Sequence, residues 1–242
     1  MHATGILRRM HANSRPVTSS QTETHSQLPR LVARHLASPY QKPIMPYNRA
    51  AFDLFVQRWR AAGEPPVILD AGCGVGLSTY HLAAQSPGSF VVGVDQSADR
   101  IDRKTQWPGP PPANALLLRA ELADFWRLMG EAGISLERHY LLYPNPWPKI
   151  GHLGRRWHGH PAFPAAIALG GTIECRSNWP VYIEEFAVAL RQLGVTDVAL
   201  EAYAPAQPIT PFEIKYLASG QQLWRCHAQL SPEIVGNMQN NV

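Results

Sequence analysis

Cysteine is scarce: Cys73, Cys175 and Cys226 are the only three in 242 residues, an odd number with no CxxC spacing. Neither a disulfide framework nor a zinc site is supported by that pattern. No run of about 18 apolar residues occurs, which argues against a membrane span, and the first residues lack the apolar stretch of a secretory signal. A soluble, cytoplasmic protein is expected. Charge of one sign is also in short supply, since the net charge is only +4. Arg8, Arg9, Arg15, Arg30, Arg34 and Lys42 against Glu23 give +5 over residues 1–45, leaving −1 for the rest. Nucleic-acid binding must therefore rest on a local patch or on the N-terminal segment. What the chain does have is 45% hydrophobic residues, 22 prolines and 18 glycines, enough for one α/β domain with many turns and an extension.

Residues 1–28 mix Ser, Thr, His, Gln and Arg without apolar periodicity, which predicts a disordered basic arm and also fits a transit peptide. Residues 29–65 read as an irregular segment containing Pro39, Pro43 and Pro46, then a helix over Arg49–Ala62 that packs by Phe52, Phe55, Val56 and Trp59. Residues 66–231 alternate short apolar runs with helical stretches. Strands are expected at Val67–Ala71, Phe90–Val94, Ala115–Arg119, His139–Tyr143, Thr172–Arg176, Val198–Tyr203 and Leu223–Leu230, and helices at Leu77–Gln85, Ala98–Thr105, Leu122–Gly130 and Val181–Leu193. The fold class is α/β: a doubly wound, Rossmann-like, seven-stranded and mostly parallel sheet with helices on both faces. Residues 232–242 are expected to form a flexible tail.

The segment VILDAGCGVGLS, residues 67–78, is an apolar strand followed by Gly72, Gly74 and Gly76. Such a loop lets the backbone approach a ligand at a helix N-terminus. The third glycine comes one residue too early for the dinucleotide fingerprint. Asp70 would repel phosphates and suits a cationic ligand. Asp95 ends the next strand, where an acid can accept ribose hydroxyls. Glu121 follows the third strand, where it fits a solvated helix start or a ligand contact.

The fourth strand runs into Pro144-Asn145-Pro146-Trp147, and two prolines hold Asn145 and Trp147 at the carboxyl edge of the sheet. A polar group beside an aromatic plane can recognise a flat base. Lys149, Arg155 and Arg156 then form the local basic patch, interspersed with His152, His158 and His160. No carboxylate or cysteine cluster joins those histidines, so no metal is expected.

The glycine loop with Asp70 and Asp95 resembles the class I methyltransferases that use S-adenosylmethionine. With the PNPW turn and the HxxRRWHGHP loop, the chain from Pro66 to Gln229 resembles the bacterial tRNA (guanine-N7)-methyltransferases. Ser177-Asn178-Trp179 with Tyr182 and Glu184 looks like that family's Thr-Asp-Trp-x-x-Tyr segment, and Thr210-Pro211-Phe212-Glu213 looks like its Thr-Lys-Phe-Glu segment. The resemblance implies S-adenosylmethionine as cofactor, held by Asp70, the three glycines, Asp95, Glu121 and Asn145. It implies tRNA as partner, with Trp147, Lys149, Arg155, Arg156, Asn178, Thr210, Phe212 and Glu213 facing it, and Asn145 as the catalytic residue. The assembly would be a monomer or homodimer. Three positions depart from the family pattern: Asn145 and Asn178 stand where it carries acids, and Pro211 where it carries a lysine. A methyltransferase for another base or a small molecule, or a tRNA-binding protein without turnover, are the alternatives this leaves.

Overall fold

A computed structural model describes residues 13–103, 107–231 and 234–236. Two helices precede the sheet. Helix α1, Leu28–Ala37, starts with a proline in its first turn and buries Leu28 and Val32. Helix α2, Pro46–Ala61, also begins on a proline and buries Phe52 and Phe55. These two rings meet Phe125, and Phe55 also meets Phe90, at centroid distances of 5.6–6.0 Å, a geometry that favours edge contacts over flat stacking.

The alternating part follows in the order β1 (Val67–Ala71), α3 (Leu77–Gln85), β2 (Phe90–Asp95), α4 (Ala98–Ile101), β3 (Ala115–Arg119), α5 (Leu122–Glu131) and β4 (Arg138–Leu142). A 3-10 stretch then leads to α6 (Phe163–Ile167), β5 (Gly171–Ser177), α7 (Pro180–Gln192), β6 (Val198–Tyr203), α8 (Pro211–Ala218) and β7 (Leu223–Leu230). The strands lie in the order β3-β2-β1-β4-β5-β7-β6. β7 runs antiparallel to both of its neighbours, and the other pairings are parallel. Every residue of β1 and β2 is buried, as expected of strands covered on both faces. The strand order reverses between β1 and β4, so a crevice opens beyond their carboxyl ends, where ligands bind in such sheets. The expected fold class is the observed one.

Several boundaries differ. The disordered arm expected over 1–28 is corrected for residues 13–28: Gln21 is buried, Ser14 N–H donates to Ser219 Oγ at 3.0 Å, and Leu28 opens α1. Residues 1–12, and the expected tail apart from residues 234–236, lie outside the described residues. The irregular stretch expected from residue 29 is helical to Ala37, and α4 stops at Ile101, short of Thr105. Helices α6 and α8 were not expected. Among the described residues, no helix is long and apolar enough to cross a membrane.

Candidate active site

The loop after β1 lies in the crevice, and its glycines have φ of +79°, +60° and +80° at positions 72, 74 and 76. At Gly74 an added Cβ would meet nothing within 4 Å, whereas at Gly76 it would come within 2.4 Å of the Leu117 side chain. The loop is therefore open toward the crevice at Gly74 and pressed onto β3 at Gly76. Asp95 shapes it from the neighbouring strand: Oδ2 accepts the Gly74 N–H at 3.0 Å and Oδ1 the Ser97 N–H at 2.9 Å.

Asp70 is buried beside the loop. Its Oδ2 accepts the hydroxyls of Ser78 at 2.6 Å and Thr79 at 2.7 Å, while Oδ1 is buried with no hydrogen-bond partner. Burial pushes its carboxyl up to about 6 against the pull of those two hydroxyls. An unmet buried acceptor next to an open glycine loop fits a cationic ligand. Glu121 stands immediately before α5, and its carboxylate is engaged, accepting the Tyr47 hydroxyl at 2.9 Å and pairing with Lys42 at 3.7 Å.

The PNPW turn sits at the end of β4, beside the end of β1. The residue before it and its last residue adopt left-handed backbone conformations, Tyr143 at φ +54° and Trp147 at φ +44°. Such conformations in non-glycine residues carry about 1–3 kcal/mol each and persist only where the surroundings enforce them. At Tyr143 the hydroxyl donates to Glu213 Oε1 at 3.0 Å and the backbone N–H donates to the Arg176 carbonyl at 2.9 Å. Asn145 is exposed, with its Oδ1 3.3 Å from the Trp147 N–H. The Trp147 ring lies under the exposed Arg155 guanidinium at 4.9 Å and edge-on to His152, and Lys149 is exposed beside it.

Arg156 is a correction. It was expected to meet tRNA phosphates, but it is fully buried, paired with an equally buried Glu185 at 2.5 Å. Its guanidinium also lies over the Trp179 ring at 5.0 Å. His158 is buried too, 2.9 Å from the same carboxylate. Burial alone would push the Glu185 carboxyl up; hydrogen bonds from His158 and Arg156, with the Arg156 charge, hold it down to about 2.

The Thr210–Glu213 segment is corrected likewise. Thr210 is the N-cap of α8, its Oγ1 accepting the Glu213 N–H at 2.9 Å. The buried Glu213 carboxylate is taken up by Tyr143, Arg176 Nη1 at 2.7 Å and the Ile209 N–H at 2.7 Å. These two side chains face the interior, and Phe212 alone of the three named there is exposed, stacking on Tyr216. Asn178, in the loop after β5, donates to Gln221 Oε1 at 2.8 Å.

The crevice thus brings together Asp70, the glycines, Asp95, Asn145 and Trp147, while Lys149 and Arg155 are the outward cations of the basic loop. Sequence reasoning missed Gln21, Arg176 and Glu185. A signal for Glu185 exists: it sits on the apolar face of α7 with Tyr182, Phe186 and Ala189, all buried. An acid inside such a stripe announces a buried partner. Among the described residues, no group of three His, Cys, Asp or Glu side chains could hold a metal ion.

The model of the methyltransferase family Methyltransf_4 matches residues 64–226. A protein of Burkholderia thailandensis named tRNA (guanine-N(7)-)-methyltransferase is 28% identical over 189 residues, covering 75% of this chain and 69% of its own. One of the same name from Polaromonas naphthalenivorans is 27% identical, covering 66% and 70%. Among solved structures, an antibiotic-related methyltransferase superposes with a TM-score of 0.52 at 16% identity, covering 77% of this chain and all of its own. The 16S rRNA methyltransferase KamB does so with a TM-score of 0.50 at 18% identity, covering 80% and 99%. These two likenesses concern the fold. With most of its length matched, the chain belongs to the Methyltransf_4 family of methyltransferases.

Proposed function

We propose that this protein transfers a methyl group from S-adenosylmethionine to N7 of a guanine in tRNA, acting in the cytoplasm. The observation that carries the reading is the PNPW turn: Asn145 and Trp147 stand at the carboxyl edge of β4, beside the glycine loop, with Lys149 and Arg155 exposed at its rim. Curated relatives of this chain carry that activity in their names.

The residues present fit the cofactor. The open loop at Gly74 and the unmet acceptor on Asp70 suit a ligand that brings a cationic group against the loop. Gly72, Gly74, Gly76 and Asp70 would hold its cationic end, and Asp95 its ribose hydroxyls. When bound, S-adenosylmethionine supplies a sulfonium methyl that the free lone pair of guanine N7 can take, the C–S electron pair passing to sulfur. No proton has to leave the base, so no general base is needed and the protein's task is alignment. Asn145 offers one neutral acceptor and one donor to the edge of the base, and Trp147 offers a plane. Lys149 and Arg155 neutralise phosphates.

Incubation with S-adenosylmethionine and unmodified tRNA transcripts, followed by mass spectrometry of the digested nucleosides, tests the reading. 7-Methylguanosine is the expected product. A different methylated nucleoside would overturn the base assignment, and binding of both ligands without product would overturn the enzyme.

Two expectations follow from the site's charges. Cofactor affinity should rise as pH rises through about 6, because Asp70 is neutral below that point and anionic above it. Calorimetric titration between pH 5 and 8 checks the sign, and Asp70→Asn should flatten the profile. Lys149→Ala and Arg155→Ala should each reduce the log–log salt dependence of tRNA binding by roughly one unit.

A further inference from the structure

Prolines at 144, 146 and 148 remove alternate N–H groups from the turn, so the protein must grip it mainly by its carbonyls. Three successive carbonyls are gripped. Arg156 donates to the Trp147 carbonyl from Nε at 3.3 Å and Nη2 at 3.1 Å, and more weakly to that of Lys149 at 3.4 Å. Between them, the Pro148 carbonyl accepts the Ser19 hydroxyl at 2.5 Å.

Arg156 is in turn oriented by the N-terminal segment. Gln21 Oε1 accepts from Arg156 Nη2 at 2.9 Å, and Gln21 Nε2 donates to Glu185 Oε1 at 2.7 Å and to the Glu23 carbonyl at 2.8 Å. The His25 N–H adds a bond to the same carboxylate oxygen at 2.9 Å. One amide therefore touches both members of a buried ion pair, and its neighbour two residues earlier touches the loop directly.

We infer that Ser19 and Gln21 are positioning residues for methyl transfer: they fix the carbonyls of residues 147–149 and so set how Asn145, Trp147 and Lys149 meet the base. The inference rests on the turn being the guanine site. Neither residue hydrogen-bonds Asp70, Asp95 or the glycine loop, so the cofactor half of the crevice should not depend on them. Nor should folding: the Arg156–Glu185 pair persists without Gln21, and water can replace one hydroxyl at Pro148. What is lost is the register of a turn whose Trp147 holds a left-handed φ of +44°.

The test uses the full chain with Ser19→Ala, Gln21→Ala, the double variant and Ser19→Thr, which keeps the hydroxyl. Amide hydrogen exchange at Trp147 and His152, whose N–H groups donate to Asn145 Oδ1 and to the Lys149 carbonyl, reads the turn, single-turnover methylation of a tRNA transcript reads alignment, and calorimetry reads cofactor affinity. In the double variant, exchange at those amides should accelerate and the methylation rate should fall about ten- to a hundred-fold. Its cofactor Kd should stay within about two-fold, and Ser19→Thr should behave like the unaltered chain. Unchanged exchange, or accelerated exchange with an unaltered rate, overturns the inference, as does a lower melting temperature with neither change. If the unaltered chain methylates no guanine, the proposed function falls, while exchange still decides whether the segment holds the turn.

Discussion

Glu185→Ala is expected to lower the free energy of unfolding by about 3–5 kcal/mol, because it strands the Arg156 guanidinium without its carboxylate in a site closed to water. The same carboxylate accepts from His158, Gln21 and the His25 N–H, so four donors lose their acceptor at once. Urea denaturation at pH 7 measures the loss. A second signature lies on the acid side. The folded carboxyl titrates at about 2 against an ordinary 4.5. Its contribution is therefore present above pH 4.5 and disappears as pH falls toward 2. The unaltered chain should lose stability through that window more steeply than Glu185→Ala. Replacing both partners, as in Arg156→Met with Glu185→Leu, removes the stranded charge and should recover much of the deficit. Turnover should not recover with it, since methionine cannot donate to the Trp147 and Lys149 carbonyls.

Asn145→Ala should reduce the single-turnover methylation rate by about 10²-fold or more. That is the scale for deleting one pre-aimed polar group at a reacting centre. Two losses combine: the group offered to the base, and the bond from the Trp147 N–H to Asn145 Oδ1 that shapes the turn. Asn145→Asp separates them, because it keeps the turn and adds a charge that favours the positive ring formed on N7 methylation. Its rate should equal or exceed that of the unaltered chain. A rate for Asn145→Ala indistinguishable from the unaltered chain would remove Asn145 from the site.

The strands and the glycine loop were legible because their signals are local. Val67–Ala71, Ala115–Arg119, Val198–Tyr203 and Leu223–Leu230 have the boundaries expected from apolar runs between turns. Asp70 and Asp95 follow from their places at strand ends. Helix α1 was missed because Pro39, Pro43 and Pro46 downstream suggested an irregular segment, although Leu28, Leu31, Val32 and Leu36 recur at helical spacing. Arg155 and Arg156 show the limit most clearly. They are adjacent and chemically identical, yet one lies exposed over Trp147 and the other is fully buried. What separates them is Glu185, 29 positions downstream, and Gln21, 135 upstream. Glu213 was misplaced for the same reason, because its partners Tyr143 and Arg176 lie 70 and 37 positions away. Thr210 differs: its cap bond to the Glu213 N–H spans three residues and is a local signal that the reading passed over.

Those separations also say something about how the molecule comes into being. Gln21 reaches its acceptor across 164 positions, and Ser14 meets Ser219 across 205. During synthesis the segment around Ser19 and Gln21 leaves the ribosome early and must wait, unpartnered, until α7 and then α8 have followed. The PNPW turn is made midway and cannot be braced until α7 has folded. Contacts of such span form late and slowly. A nascent chain can thus complete its glycine loop, built from residues 70–95, well before the turn opposite is set, so the two halves of the crevice mature in sequence.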